Sequence, residues 1–139
     1  PVGTLVQLSA DGIVLFGEEG RVSYANPALG RMLGESVSFF HDMTEETFTS
    51  FLVTLLDFGQ TLPDFQAMAA AEDTREGGGE RRRHPRATFT IAQPQRRVIS
   101  CSVRAREGES KVLYFRDITR ETEVDRMKSE FLSTAAHEL

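Results

Sequence analysis

The chain has 139 residues, 40% apolar, 9% aromatic and 27% charged, with a formal net charge of −5. That length is one domain with room for an appendage, and it closes an ordinary core without staples. The lone cysteine excludes an intramolecular disulfide framework or a CxxC metal ribbon and fits a reducing compartment; the acidic balance argues against nucleic-acid binding, and neither a run of ~20 apolar residues nor a secretory leader is seen.

The first unit runs from Asp11 to Asn26. Asp11-Gly12 signals a turn, Ile13 to Phe16 is a short apolar run, Gly17-Glu18-Glu19-Gly20 is a second turn, and Arg21 to Ala25 alternates. This predicts a β-hairpin. Asn26-Pro27 then reads as a helix start, because Asn caps free amides and Pro needs no partner for a missing N–H. Leu29, Met32 and Leu33 share a face, and Gly34 ends the helix.

Residues 35–42, with Val37, Phe39 and Phe40, read as an irregular connection. Thr44 caps the next helix, with Glu45 and Glu46 favourable in its first turn. Phe48, Phe51, Leu52, Leu55 and Leu56 fit the helical template, and Gly59 stops the run. Pro63 starts a further helix with Phe65, Met68 and Ala69 inward. Residues 73–86 read as a loop, with Gly77-Gly78-Gly79 followed by a basic run from Arg81 to Arg86. No GKS or GKT follows the glycines, so a phosphate loop is excluded, and the charge run reads as a solvated segment.

Three strands follow. Ala87, Phe89 and Ile91 alternate with threonines; Ile99, Cys101, Val103 and Ala105 alternate with polar residues; Val112 to Phe115 is the last. Turns fall at Gln93-Pro94-Gln95 and Glu107-Gly108-Glu109. Two strands, then helices, then three strands predict an α+β fold, an antiparallel sheet with helices over one face. Asp117 to Leu139 contains neither proline nor glycine and reads as a helix capped by Thr119. Val124, Met127 and Phe131 follow heptad spacing, and Leu132, Ala135 and Leu139 repeat it one position later. Such a stripe leaving a compact domain predicts a partner helix. Pro1 and Leu139 read as the ends of a piece of a longer protein.

Asp11-Gly12-Ile13 through Asn26-Pro27-Ala28, then the helices and three strands ending in Arg116-Asp117-Ile118-Thr119, resembles a PAS domain. The string FRDITRE running into a long helix carries most of that resemblance. It implies a five-stranded antiparallel sheet in the order 2-1-5-4-3 with flanking helices. The implied sensor domain covers residues 1–116, with its core at 11–116, and residues 117–139 form a junction and output helix. Residues Met127 to Leu139, MKSEFLSTAAHEL, are similar to the start of the phosphoacceptor helix of a bacterial two-component sensor histidine kinase. Phe131, His137, Glu138 and Leu139 match that signature, and Ala136 stands where serine is frequent.

The resemblance implies a phosphoacceptor at His137, supported by Glu138 as the base that fixes the ring tautomer. A neutral imidazole is a competent nucleophile near neutral pH. ATP and Mg²⁺ would be bound outside these residues, so the piece alone should be inactive. The implied partners are a second copy of the chain and a response-regulator receiver domain, in the cytoplasm. Asp117, Ile118 and Thr119 are the implied signal junction, with Asp117 and Thr119 making side-chain hydrogen bonds. Phe48, Leu52, Phe89 and Cys101 are candidate lining for a small apolar ligand, weighed against a core they simply fill. Cys101 falls on an inward strand face, whereas flavin-binding LOV relatives carry a reactive cysteine on a helix. His41 and His84 fall in loops, so no haem is expected. A ligand-binding or purely dimerising module is the alternative.

Overall fold

The computed structural model describes residues 10–74, 86–105 and 110–138. The turn expected at residues 107–109, the glycine and arginine runs at 77–83, His84 and Leu139 lie outside them. Strands β1 (Gly12–Phe16) and β2 (Val22–Ala25) form the expected hairpin. Four helices follow: α1 (Pro27–Leu33), α2 (Val37–Phe40), α3 (Glu45–Leu55) and α4 (Phe65–Thr74). Strands β3 (Arg86–Ile91), β4 (Arg97–Ala105) and β5 (Lys111–Asp117) lead into a 20-residue helix, α5 (Thr119–Glu138). All strand pairs are antiparallel, and the order is β2-β1-β5-β4-β3.

Register fixes which side chains enter the core. Val14 pairs with Leu113, which pairs with Val103; Gly12 pairs with Phe115, which pairs with Cys101. Strand period places these on one face, with the intervening residues on the other. Phe89, Ile91, Ile99, Cys101, Leu113 and Phe115 are all buried on the inner face. Phe115 is the hub, with ring centroids 6.0 Å from Phe89 and 6.2 Å from both Phe48 and Phe65. These spacings are those of favourable offset and edge-to-face pairs.

The local signals explain most boundaries. Asn26 Oδ1 accepts from Leu29 N at 3.0 Å, Pro27 opens α1, and Gly34 closes it at φ 80°. Thr44 Oγ1 accepts from Thr47 N at 3.1 Å to start α3. Three boundaries differ from the sequence expectation. The segment read as irregular contains the one-turn helix α2, formed as Phe40 folds inward against Phe48 and Phe51 at 5.9 and 5.8 Å. Helix α3 stops at Leu55 rather than at Gly59, because the Leu55 carbonyl accepts from Ala92 N at 2.7 Å and Leu56 bridges to Ile91. Helix α4 begins at Phe65 rather than Pro63, where Asp64 Oδ1 accepts from Ala67 N at 3.0 Å.

Candidate functional site

Strand β5 lies between β1 and β4, so α5 leaves the centre of the sheet. The connection between them is held by a short hydrogen-bonded chain. Asp117 Oδ1 accepts from Thr119 N at 3.0 Å and from the Thr119 hydroxyl. That same hydroxyl oxygen accepts from Val98 N at 2.9 Å. Asp117 Oδ2 accepts from Arg97 Nη1 at 2.7 Å, and Ile118 N donates to the Val98 carbonyl at 2.8 Å. The last residue of β5 and the first of α5 are thereby tied to the beginning of β4.

Thr119 is the first residue of the helix rather than its N-cap. Its hydroxyl is turned toward β4, and its own amide donates to Asp117. Helix formation then proceeds from Ile118, whose carbonyl accepts from Thr122 N at 3.0 Å and from the Thr122 hydroxyl at 2.8 Å. Partial burial pushes the Asp117 pKa up. The hydrogen bonds from Thr119 and Arg97, with the Arg97 charge, push it down further and hold it below the ordinary carboxylate value. Arg97 commits Nη1 to this carboxylate and leaves Nε buried without a hydrogen bond among the described residues.

Arg97 and Val98 were not singled out from the sequence. Their signal was latent in strand pairing: once Ile99 faces Asp117, the preceding residues of β4 must flank the start of α5. The Glu45–Lys111 ion pair, which joins the first turn of α3 to the first residue of β5, was missed for the same reason. It is separated by 66 residues in sequence, and only the register brings the two together.

No residue of α5 is buried. Val124, Met127, Phe131 and Leu132 are 48%, 60%, 74% and 66% exposed, an apolar stripe open to solvent. Glu123, Arg126 and Glu130 form an ion-paired row with contacts of 2.9 and 2.6 Å. Glu123 also lies 3.9 Å from Arg96 of the β3–β4 connection. His137 is exposed, in the last turn. At 3.6 residues per turn it lies more than about 100° around the helix from the centre of the Val124–Met127–Phe131–Ala135 stripe, on the side of the ion-paired row. Glu138 is displaced from it by ~100°, back toward the apolar stripe, and among the described residues the two side chains make no hydrogen bond with each other.

Phe48, Leu52, Phe89 and Cys101 are brought together in the core, each 0% or 1% exposed. Phe48 and Phe89 both rest on Phe115. Burial pushes the Cys101 thiol up to about 12, which keeps it protonated and unreactive. Among the described residues no group of three or more His, Cys, Asp or Glu could hold a metal ion, and no helix is long and apolar enough to cross a membrane.

A five-stranded antiparallel sheet in the order 2-1-5-4-3, with helices packed on one face and a helix leaving the central strand, is the PAS architecture. A family model described as PAS domain matches residues 4–72. The chain has a PAS-like fold. It is similar to the PAS domain of nitrogen regulation protein NR(II) from Vibrio parahaemolyticus, with 12% identity over 84% of this chain and 97% of that one and a TM-score of 0.51. It is also similar to a PAS domain from a two-component sensor histidine kinase, at 14% identity, 84% and 92% coverage and a TM-score of 0.53. A domain of a sensory box sensor histidine kinase/response regulator from Geobacter sulfurreducens matches at 19% identity, 84% and 90% coverage and a TM-score of 0.50. At such identities the likeness is one of fold. No curated protein matches the sequence.

Proposed function

We propose that the chain is the sensing and transmitting part of a two-component histidine kinase, in which the parent protein autophosphorylates on His137 and passes the phosphoryl group to an aspartate of a response regulator. The observation that carries this reading is α5 itself. It is tied to the sheet through Asp117 and Thr119, exposes an apolar stripe along its length, and bears His137 on a different side from that stripe. If the stripes of two copies pair, each imidazole remains open to a nucleotide presented by another domain.

The chemistry asks little more of this part of the protein. The ring nitrogen must be neutral and accessible, and Glu138 must reach the other nitrogen to hold its proton. Helical neighbours do not face each other, so that contact requires the full extension of the glutamate side chain. ATP and Mg²⁺ would be held elsewhere in the parent, which supplies the charge neutralisation that phosphoryl transfer depends on. A strand-to-helix junction fixed at three points converts a small displacement of β4 against β5 into a movement of the paired helices.

The test uses the full-length parent and labelled ATP. Acid-labile label on the wild-type protein and its loss in His137→Gln are the expected results. Undiminished label in that variant removes His137 as the acceptor.

A further inference from the structure

We propose that the outward face of the sheet holds an oxyanion site, which takes one phosphate or carboxylate group of a small molecule. The inference is independent of the kinase reading, because the site lies on the far side of the sheet from the core and does not involve α5.

A hollow of about 110 Å³ is lined by Asp11, Arg86, Ser100, Ser102, Tyr114 and Arg116. The sheet register brings these residues together. Ser102 pairs directly with Arg86 on one side and Tyr114 on the other, and Ser100 pairs with Arg116. Strand period turns all five toward the same face, opposite the buried Cys101, Leu113 and Phe115. Five of the six side chains are donors: two guanidinium groups and three hydroxyls. Asp11 is the single carboxylate, and it accepts from Arg116 Nε at 3.3 Å. The Arg86 side chain makes no hydrogen bond or ion pair among the described residues. Arg104 adds a third cation on this face, 5.5 Å above the Tyr114 ring.

The face is therefore positive in a chain whose net charge is −5. A solvated row of strand-surface residues ordinarily alternates its charges or pairs them. Here donors outnumber acceptors around one concavity, and the guanidinium fork matches the planar edge of a carboxylate or the oxygens of a phosphate. A water occupies about 30 Å³ of liquid, so the hollow accommodates a single oxyanionic group and leaves the rest of its bearer in solvent.

The test is a titration of the 139-residue chain with inorganic phosphate at constant ionic strength, read from backbone amide NMR shifts, with a parallel acetate titration. The expected result is saturable movement of Ser100, Ser102, Tyr114 and Arg116, all four residues following the same dissociation constant within each anion's titration. The tighter of the two then identifies a phosphoryl or a carboxylate group. Arg86→Gln should weaken binding roughly tenfold or more, as removal of a charge-assisted bond does. Ser102→Ala should weaken it less while leaving the amide spectrum folded. Arg21→Gln removes an equal charge from the remote ion pair with Asp42 and should leave binding intact. Unsaturated shifts for both anions up to about 50 mM, or equal weakening by Arg86→Gln and Arg21→Gln, would overturn the proposal.

Discussion

Two polar side chains set the geometry on which the rest depends. Asn26 is fully buried, accepts from Ile13 N at 2.8 Å and Leu29 N at 3.0 Å, and donates from Nδ2 to the Asp11 carbonyl at 2.8 Å. It is a helix cap and a clamp between α1 and β1 together. Asn26→Ala should lower the unfolding free energy by about 2–4 kcal/mol, from a lost cap of ~1 kcal/mol and backbone groups left buried without partners; urea unfolding measures this. Asp117 behaves differently because it titrates. Its folded-state pKa lies below the ordinary ~3.9 of an aspartate. Its stabilising contribution is therefore complete above that ordinary value and is lost as pH falls through the lower folded value. The melting temperature of the wild type should exceed that of Asp117→Asn near neutral pH, and the gap should narrow as the solution is acidified below about pH 4. A gap independent of pH would mean that the carboxylate charge contributes nothing to the junction.

At the scale of elements, a close approach can reverse an intrinsic propensity. An alanine in a helix interior is ordinarily favoured over glycine by about 1 kcal/mol. Gly30 lies inside α1, yet a Cβ there would stand 2.5 Å from the Glu35 carbonyl oxygen. The obstacle is backbone, and it exists because the Gly30 carbonyl accepts from both Gly34 N and Glu35 N, which folds the chain back over the end of the helix. Gly30→Ala should therefore lower the melting temperature, by a cost exceeding the ~1 kcal/mol of propensity it gains. An unchanged or raised melting temperature would contradict that packing. The same contrast explains what was legible in the sequence. Asn26, Pro27, Thr44 and the Phe48–Leu55 stripe act through neighbours within four residues, so α1 and the start of α3 could be read directly. The end of α3 is set by Ala92, and α2 is fixed by Phe40 packing on Phe48, so neither leaves a periodic trace. At the junction, Asp117 and Thr119 were legible as types, but their partners Arg97 and Val98 follow only from the β4–β5 register.

For the whole molecule, the question is what the exposed stripe of α5 meets. The PAS-like domain closes its own core: Phe16, Phe40, Phe48, Phe89 and Phe115 are all buried, and none of that closure uses α5 beyond its root. The helix therefore adds apolar surface without burying it, which favours a second surface that covers Val124, Met127, Phe131 and Leu132. A parallel pair of α5 helices meets this need with the chain alone and leaves the Glu123–Arg126–Glu130 row in solvent. Light scattering should then find a dimer for residues 1–139 and a monomer for a chain ending at Arg116. Phe131→Glu should weaken the dimer by roughly a hundredfold or more, since two large apolar side chains worth ~1.5–3 kcal/mol each are lost per pair. Glu130→Gln, on the ion-paired row, should leave it unchanged. If the chain ending at Arg116 dimerises as tightly as the longer one, pairing resides in the sheet or its helices, and the position of His137 relative to the stripe loses its significance for access. If only the longer chain dimerises, and Phe131→Glu alone abolishes it, the movement transmitted through Asp117 and Thr119 has a defined recipient: the angle or register between two helices whose last turns carry the imidazoles.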